Sequence, residues 1–369
     1  MFTEIKKNFG FGCMRLPMDG ENVNYTETCR MFDTFISAGF NYFDTAHGYI
    51  NGKSETAVRD CLSARYDRKD FILANKLSDW FFESEEDILP LFHSQLELCG
   101  VEYFDFYLFH TLNRTNYLKH KKCNTFEIVK KLKEDGKIRH IAMSFHDTAD
   151  ILDIILTEQP FIEAVQLQIN YLDYDDPTIQ SKACYDIAVK HGKKVIVMEP
   201  VKGGALVNLP EKAKEIFDRL QGGSYASYAI RYAASFPEVF MVLSGMGNMD
   251  MVNDNIKSMG DFRPLSDEEL KATDLARNII RETNQIPCTK CNYCAEVCPK
   301  NIPISGIFSA FNGYVLAKTD KAQTKATLPT SGGDINACIK CGKCETICPQ
   351  GIKIREQLEN ISKKLGLNE

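Results

Sequence analysis

The sequence has no long apolar run and no strong excess of charge of either sign. None of its 369 residues fall in a stretch that approaches the roughly 20 apolar residues needed to cross a bilayer, so we expect no membrane association. The segment Met1–Gly10 has no apolar core, which argues against a secretory signal and predicts a cytoplasmic location. The net charge of -6 argues against a nucleic-acid partner.

Tryptophan is nearly absent, with one residue, whereas cysteine is abundant, with 14. Eight cysteines fall in two short runs. A chain of this length without a secretory signal does not belong to the short, disulfide-rich class, so the clustered thiols are expected to bind metal. The six scattered cysteines are interpreted as small buried apolar side chains: Cys13, Cys29, Cys61, Cys99, Cys123 and Cys184.

Apolar runs of strand length alternate with stretches of helical period. The eight candidate strands are Phe9–Leu16, Phe40–Phe43, Phe71–Asn75, Phe104–Phe109, Ile138–Ser144, Ala164–Gln168, Lys194–Glu199 and Val239–Ser244. This alternation predicts parallel strands joined by helical crossovers, and eight such units favour an α/β fold closed as a (β/α)8 TIM barrel. Ser266, followed three residues later by Glu269, predicts a capped helix. We therefore expect a barrel over 1–264, a connecting helix over 265–284 and a small, mainly helical domain over 285–369.

The two cysteine runs form an internal repeat with a period of 50 residues. Both have the spacing C-x2-C-x2-C-x3-C-P, which is the bacterial ferredoxin run, and in that pattern the fourth cysteine of each run binds the other cluster. Two [4Fe-4S] clusters are therefore predicted, with tetrahedral zinc as the alternative, for which separated C-x2-C pairs are expected. The predicted ligand sets are Cys288, Cys291, Cys294 and Cys348 for one cluster, and Cys338, Cys341, Cys344 and Cys298 for the other.

A motif after the second candidate strand resembles the signature of the aldo-keto reductase family. The residues are Asn41–Tyr49 (NYFDTAHGY) and Gly52–Glu55 (GKSE), and the likeness extends over about the first 260 residues. The resemblance implies a catalytic tetrad at the C-terminal ends of the predicted strands, where barrel enzymes carry their active sites. Its members are Asp44, Tyr49, Lys76 and His110.

This set of residues suits the reduction of a carbonyl by hydride, which needs a proton donor at the developing alkoxide. A phenol with a pKa of about 10 is a poor donor near neutrality. A buried ammonium at Lys76 lowers the pKa of Tyr49, and Asp44 keeps that ammonium charged. His110 can orient the carbonyl oxygen by a hydrogen bond. Trp80 either walls the substrate pocket or packs in the core or at the rim.

The resemblance also implies a binding site for NAD or NADP. Contacts to the nicotinamide amide are implied at Ser144 and Gln166, with Asn170 nearby, although a capped strand end and a core amide explain such residues equally well. Gly203 and Gly204 suit the approach of backbone to a diphosphate, but a glycine pair is also an ordinary turn.

The resemblance places the adenosine-phosphate region after the last strand. The matching residues are Ser244, Gly245, Gly247, Asp254 and Asn255. Two positions depart from the family pattern. Met198 stands where many members stack a tyrosine on the nicotinamide, and Met251 stands where NADP-preferring members have an arginine for the 2'-phosphate. The missing guanidinium favours NAD, or weak binding of either cofactor.

The two predicted halves handle electrons differently, because nicotinamide transfers a hydride and cubane clusters accept single electrons. A flavin is the usual converter; the sequence has no flavin fingerprint, although loops at a barrel mouth can hold FMN without a short motif. Three interpretations remain. The first is an aldo-keto reductase that acts on a carbonyl or alcohol, and its clusters keep the C-terminal domain in shape or dock that domain to a partner protein. The second is an electron relay between a ferredoxin or flavodoxin and a barrel cofactor. The third is a non-catalytic nucleotide and redox sensor. The intact tetrad favours the first.

The fused arrangement also resembles iron-sulfur-containing aldo-keto reductase-like proteins of anaerobic microbes. That resemblance implies a cytosol with little oxygen and adds nothing about the substrate.

Overall fold

The structure, a computed structural model, describes residues 2–220, 222–317 and 320–367. Within these residues, eight parallel strands close into a barrel in the order β1, β10, β9, β8, β7, β6, β5, β4, and a two-stranded ribbon, β2–β3, lies outside it. The predicted barrel and its strands are therefore confirmed, with ends shifted by a few residues. The strands are β1 (Phe9–Gly12), β2 (Met18–Asp19), β3 (Asn22–Val23), β4 (Tyr42–Asp44), β5 (Ile72–Leu77), β6 (Phe104–Leu112), β7 (Ile138–Phe145), β8 (Ala164–Gln168), β9 (Lys194–Met198) and β10 (Val239–Gly245).

Helices connect the barrel strands and continue after the last of them. They are α1 (Tyr25–Ser37), α2 (Lys53–Val58), α3 (Ile88–Cys99), α4 (Arg114–Lys122), α5 (Thr125–Glu134), α6 (Ala149–Glu158), α7 (Ser181–Lys190), α8 (Glu211–Asp218), α9 (Tyr225–Ala234), α10 (Met249–Gly260), α11 (Asp267–Glu282), α12 (Tyr293–Glu296), α13 (Ile304–Ala317), α14 (Lys321–Ala326), α15 (Lys343–Thr346) and α16 (Ile354–Leu365). In the part of the chain that the structure describes, no helix combines the length and apolarity needed to cross a membrane.

The alternation of side chains along each strand separates the floor of the barrel from its mouth. The interior at the N-terminal end is an apolar cluster that includes Tyr42, Ala74, Leu108, Ala142, Ala164 and Ile196. Residues two apart on a strand share a face, so the next interior layer toward the C-terminal ends is formed by the residues two positions further on. These residues are Asp44, Lys76, His110, Ser144, Gln166 and Met198. The floor of the barrel is therefore apolar, and its mouth carries titratable and amide groups.

The chain divides into two compact units whose bounds differ from the predicted domains. The first comprises Met1–Pro200 and Ala226–Ser266, and the second comprises Val201–Tyr225 and Asp267–Glu369. The segment after β9, which the sequence analysis assigned to the barrel, is grouped with the cysteine region because α8 packs against α11. Helix α11 begins directly after Ser266, as the capping pattern predicts.

Two of the scattered cysteines correct a prediction. Cys29 on α1 and Cys61 in the π-helical turn that follows α2 form a disulfide, so they are not the unpaired apolar side chains that the sequence suggested. Their Cα atoms are 4.6 Å apart in the fold. In the sequence they are 32 residues apart, and so large a sequence separation does not indicate which cysteines pair. The other four are buried thiols, as predicted: Cys13, Cys99, Cys123 and Cys184.

The second unit has its own apolar core, built from the two halves of the repeat. Helices α13 and α16 occupy equivalent places after the two cysteine runs and bury apolar residues at helical spacing. These core residues are Ile304, Ile307, Phe308 and Phe311 from α13, and Ile354, Leu358, Ile361 and Leu365 from α16.

Candidate active site and cysteine centre

The barrel mouth brings the four predicted tetrad residues together. Lys76 on β5 donates hydrogen bonds from Nζ to Asp44 Oδ1 (2.6 Å) and to the carbonyl oxygen of Thr45 (2.8 Å). The same Nζ lies 4.7 Å from the centre of the Tyr49 ring, which follows β4 in the turn before α2. The Tyr49 and His110 rings are 6.1 Å apart. A phenol, an ammonium, a carboxylate and an imidazole therefore share one small region.

Burial makes the two charges of this site depend on each other. Asp44 is 3% exposed and Lys76 is 1% exposed. Burial raises the pKa of Asp44 and lowers the pKa of Lys76, and the ion pair between them opposes both shifts. The second carboxylate oxygen, Asp44 Oδ2, is buried without a hydrogen-bond partner among the described residues. A buried polar atom of this kind calls for a water molecule or a ligand.

His110 is held as a neutral imidazole. Burial, and then the positive charge of Lys76, lower the pKa of His110 well below its usual range. Its Nδ1 forms a hydrogen bond with the Ser78 hydroxyl, which fixes the ring in the interior of the barrel. The half-buried Trp80 lies beside it, with ring centres 5.1 Å apart. Trp80 is therefore not part of the buried core, and its role as a wall of a substrate pocket stays a prediction.

A second layer of hydrogen bonds, which the sequence analysis missed, fixes the backbone of Lys76. Its N–H donates to Asn75 Oδ1 (2.8 Å), and its carbonyl oxygen accepts from Gln95 Nε2 (2.9 Å). Asn75 Nδ2 in turn donates to Glu55 Oε1 (2.8 Å), and the other Glu55 oxygen pairs with His47 Nδ1 (2.7 Å). The sequence does carry a signal for these bonds, because Asn75 is an amide within the apolar run of β5 and Gln95 is an amide on the buried face of α3.

The predicted nicotinamide contacts differ in how the protein already uses them. Ser144 and Gln166 are neighbours in the register of β7 and β8, and Ser144 Oγ accepts a hydrogen bond from the Thr111 N–H (2.7 Å). Asn170 is committed to a turn, because its Nδ2 donates to Asp173 Oδ2 (2.8 Å) and its Oδ1 accepts the Asp173 N–H (3.0 Å). Ser144 and Gln166 thus lie on the interior face as a pair, whereas the Asn170 side chain holds the end of β8.

The predicted adenosine-phosphate residues form the joint between β10 and α10. Asn255 Nδ2 donates to Ser244 Oγ (3.3 Å), so this pair ties the strand to the helix. Arg15 covers Gly245, where an added Cβ atom would lie 3.0 Å from Arg15 Cδ. The guanidinium of Arg15 is 4.0 Å from Glu199 Oε1. The sequence analysis did not single out Arg15, whose side chain lies over this glycine turn.

The remaining residues of that region lie in the turn before α10 and on the N-terminal half of that helix. The Gly247 N–H points to Met251 Sδ at 3.4 Å, and Met251 is 49% exposed. Asp254 is half-buried on the same helix.

The glycine pair after β9 lies in the second unit. Lys202–Gly204 form a 3-10 turn, and Gly203 has a φ of 60°. A Cβ atom at Gly203 would lie 2.3 Å from the carbonyl oxygen of Thr289, which follows Cys288 in the sequence. This close approach accounts for the glycine, and a contact with a diphosphate remains a prediction.

The two cysteine runs adopt the same backbone conformation. Lys290 and Lys340, at equivalent positions, have φ angles of 59° and 57°. Asn292 and Gly342, two residues further on, have φ angles of 68° and 79°. The short helices α12 and α15 follow at matching places. The sequence repeat is therefore also a structural repeat.

The eight cysteines of the runs surround two cavities, of about 330 and 340 Å³. The structure groups them in crossed sets, so that the last cysteine of each run lines the other run's cavity. The first cavity is lined by Cys288, Cys291, Cys294 and Cys348. The second is lined by Cys298, Cys338, Cys341 and Cys344.

The donor chemistry of the cavities fits a cubane cluster, which needs four thiolates around a shared space. Burial, then the neighbouring Cys291, raises the pKa of Cys294, and burial, then Glu345, raises the pKa of Cys344 to about 11. These thiols lose their protons when iron binds. Among the described residues, no three His, Cys, Asp or Glu side chains converge tightly enough to hold a single metal ion.

Comparison with known proteins places each half in a family. Residues 8–278 match the aldo/keto reductase family, and residues 287–352 match the 4Fe-4S dicluster domain. An aldo-keto reductase of Mycolicibacterium smegmatis is 27% identical over 186 residues, which are 50% of this chain and 62% of that protein. The chain thus spans less than two thirds of the length of this relative. The 9,11-endoperoxide prostaglandin H2 reductase of Trypanosoma cruzi is 24% identical over 276 residues, 71% of this chain and 88% of that protein.

Solved structures resemble the barrel. The holo form of an aldo-keto reductase from Bacillus halodurans has a TM-score of 0.61 and 25% identity, and the likeness covers 73% of this chain and 91% of that chain. An aldo-keto reductase from Klebsiella pneumoniae in complex with NADPH has a TM-score of 0.60 over 73% of this chain and 91% of that chain. Its sequence is 19% identical, so this likeness shows a common fold alone. The chain belongs to the aldo/keto reductase family and carries a 4Fe-4S dicluster domain after the barrel.

Proposed function

We propose that this protein is an NAD(P)-dependent oxidoreductase that reduces a small carbonyl compound, or oxidises the corresponding alcohol, at the mouth of its barrel. The observation that carries the proposal is the buried Asp44–Lys76 ion pair against the Tyr49 ring, with neutral His110 beside it. We further propose that the C-terminal unit holds two [4Fe-4S] clusters, which serve electron transfer or docking.

The residues of the tetrad manage the proton of this reaction, and the bound nicotinamide supplies the hydride. Tyr49 donates its phenolic proton to the carbonyl oxygen. Lys76, kept charged by Asp44, stabilises the phenolate that this leaves. The role proposed for His110 requires that Ser78 donate its hydroxyl hydrogen to Nδ1, because the other ring nitrogen then carries the hydrogen that bonds the carbonyl oxygen.

Groups at the barrel mouth fit a nicotinamide nucleotide. Ser144 and Gln166 offer a hydroxyl and an amide to the nicotinamide carboxamide, and Met198 offers a soft apolar face to the ring. Arg15 supplies positive charge beside the turn at Gly245. The preference between NAD and NADP follows from Met251, which has no charge to offer a 2'-phosphate, so we propose that NADH is used at least as well as NADPH.

The test compares Tyr49→Phe with Tyr25→Phe. Tyr25 is 38% exposed on α1 and serves as a control for the same loss of a hydroxyl. With NADH or NADPH and a panel of small aldehydes and ketones, we expect Tyr49→Phe to lower kcat at least about 100-fold, because general acid catalysis contributes on that scale. Tyr25→Phe should match the wild type. Equal rates in the wild type and Tyr49→Phe would remove the proposed mechanism.

The electron relay is a second candidate, favoured by the closeness of the two cysteine sets. Helix α12 carries Cys294 of the first cavity and packs against helix α15, which carries Cys344 of the second, so clusters in these cavities would be near neighbours. In this function the clusters exchange electrons with a ferredoxin or flavodoxin, and a converter such as a bound flavin links them to two-electron chemistry. Stopped-flow mixing with NAD(P)H or a reduced ferredoxin tests it. Clusters that stay oxidised during turnover would leave the first candidate alone.

Cluster number and cellular setting complete the proposal. Anaerobic protein should contain about eight irons and give a cubane EPR signal on reduction. Two zinc ions without iron would contradict this expectation. Because the eight clustered thiols are proposed to bind iron rather than to form a disulfide scaffold, we propose a reducing cytoplasm with little oxygen, although the Cys29–Cys61 disulfide argues the other way.

A further inference from the structure

We propose that Lys202 sets the reduction potential of the cluster in the first cavity, as a positive charge buried next to it. The proposal rests on the occupancy of that cavity by a [4Fe-4S] cluster. It concerns a residue that lies outside both the tetrad and the ligand set.

Lys202 contacts a residue of the cavity wall. Its side chain is buried, with the residue 2% exposed, and its Nζ lies 3.4 Å from Gln350 Oε1. Gln350 lines the first cavity and follows Cys348 by two residues. One amide side chain therefore stands between the ammonium and the wall formed by the ligand cysteines.

The turn that carries Lys202 is fixed against the other wall of the same cavity. Gly203 approaches Thr289 so closely that only a glycine fits there. Thr289 is 2% exposed, lines the first cavity and directly follows Cys288. The turn thus contacts both chain segments that supply cysteines to this cavity, which gives Lys202 a fixed place.

The cations that line the second cavity differ from Lys202 in being exposed to solvent. Its lining includes Lys300, Lys343 and Arg355, all of which are exposed. Water and salt screen exposed charges, whereas a buried charge acts through a medium of lower dielectric constant. Lys202 should therefore affect its cluster more strongly than these three residues affect theirs.

The sign of the effect follows from the charge of the cluster. A cubane cluster with four thiolates is anionic, and one-electron reduction adds another negative charge. A nearby buried cation stabilises the reduced form more than the oxidised form, and net charge and hydrogen bonding are among the factors that set cluster potentials. Lys202 therefore raises the potential of the first cluster more than that of the second.

The experiment is an anaerobic redox titration of the full chain, monitored by EPR, in the wild type, Lys202→Met and Lys202→Arg. Lys290→Met is the matched control, because Lys290 lies in the first cysteine loop but is exposed. In Lys202→Met, the ratio of reduced to oxidised cluster at a fixed potential should fall at least tenfold for one of the two clusters, which is about 59 mV for a one-electron couple. Lys202→Arg and Lys290→Met should titrate close to the wild type.

Two unchanged potentials in a fully iron-loaded Lys202→Met protein would overturn the proposal and leave Lys202 with a packing role. If Lys202→Met does not load iron, Lys202→Gln, which keeps a hydrogen-bond donor without the charge, decides the question by the same titration. A wild-type protein without iron contradicts the cluster proposal instead, so the two failures are distinguishable.

Discussion

At the scale of single residues, the charges of Asp44 and Lys76 depend on the buried contacts around them. Both side chains are buried, so each charge is maintained by the other, and the Thr45 carbonyl also stabilises the Lys76 ammonium. Removing one partner of a buried pair leaves an uncompensated charge, which costs about 3–5 kcal/mol. The amides of Asn75 and Gln95 restrain the backbone on either side of Lys76, and so they position the ammonium without touching a substrate.

His120 gives a pH dependence of stability that can be separated from catalysis. It is fully buried among aromatic rings, and burial lowers its pKa to about 3. The unfolded chain binds a proton at a pKa of 6.5, so this contribution to stability is complete above pH 6.5 and is lost as the pH falls toward 3. Between pH 7 and pH 5 we expect a loss of about 2 kcal/mol from this residue.

Urea unfolding of the wild type and of His120→Phe at both pH values measures this contribution. The phenylalanine fills the same apolar site without titrating, so the variant should show a smaller loss of stability on acidification. An identical loss in both proteins would contradict the assignment to His120.

At the scale of elements, the turn after β9 and the first cysteine loop support each other. Gly203→Ala forces a methyl group onto the Thr289 carbonyl, and we expect a clear loss of bound iron as the loop is displaced. Gly192→Ala is the control, because Gly192 has a φ of 65° but open space around it. The Gly192→Ala control should lose only about 1–2 kcal/mol of stability through backbone strain at this positive φ, and it should keep its iron. Iron content per chain, measured after anaerobic purification, decides between them, and equal loading would contradict the expected clash.

The strands and the polar layer at the mouth of the barrel are predictable because alternation and motif position depend on neighbouring residues. Asp44, Lys76 and His110 are singled out by the match of their positions to a known family, since a lone carboxylate, ammonium or imidazole at a strand end does not indicate catalysis. Pairings that depend on contacts between distant segments were not predictable. The Cys29–Cys61 disulfide, the bonds of Gln95 to the Lys76 backbone, and the grouping of Val201–Tyr225 with the cysteine region all belong to this kind.

At the scale of the whole molecule, the two compact units should differ in what stabilises them. The barrel unit has a large aromatic and aliphatic core, whereas the second unit has a small one in which Cys294 and Cys344 are themselves buried. When ligands of a metal centre form part of a small core, metal binding contributes directly to folding. We therefore expect removal of the clusters to loosen the second unit and to leave the barrel folded.

Hydrogen exchange, followed by mass spectrometry before and after chelation of the iron, measures this difference. Protection should fall in α13 and α16 and persist in the barrel strands. A loss of similar size in both units would show that the barrel depends on the clusters as well.

The crossed grouping of the cysteines has a consequence for how the C-terminal unit is assembled and inherited. Neither run surrounds a cavity with four cysteines alone, because the fourth cysteine at each cavity comes from the other run. The two halves are therefore interlocked, and a gene fragment encoding one run yields no finished centre. If both cavities hold clusters, as we propose, filling one would fix a loop of the other, and we expect the two to load together.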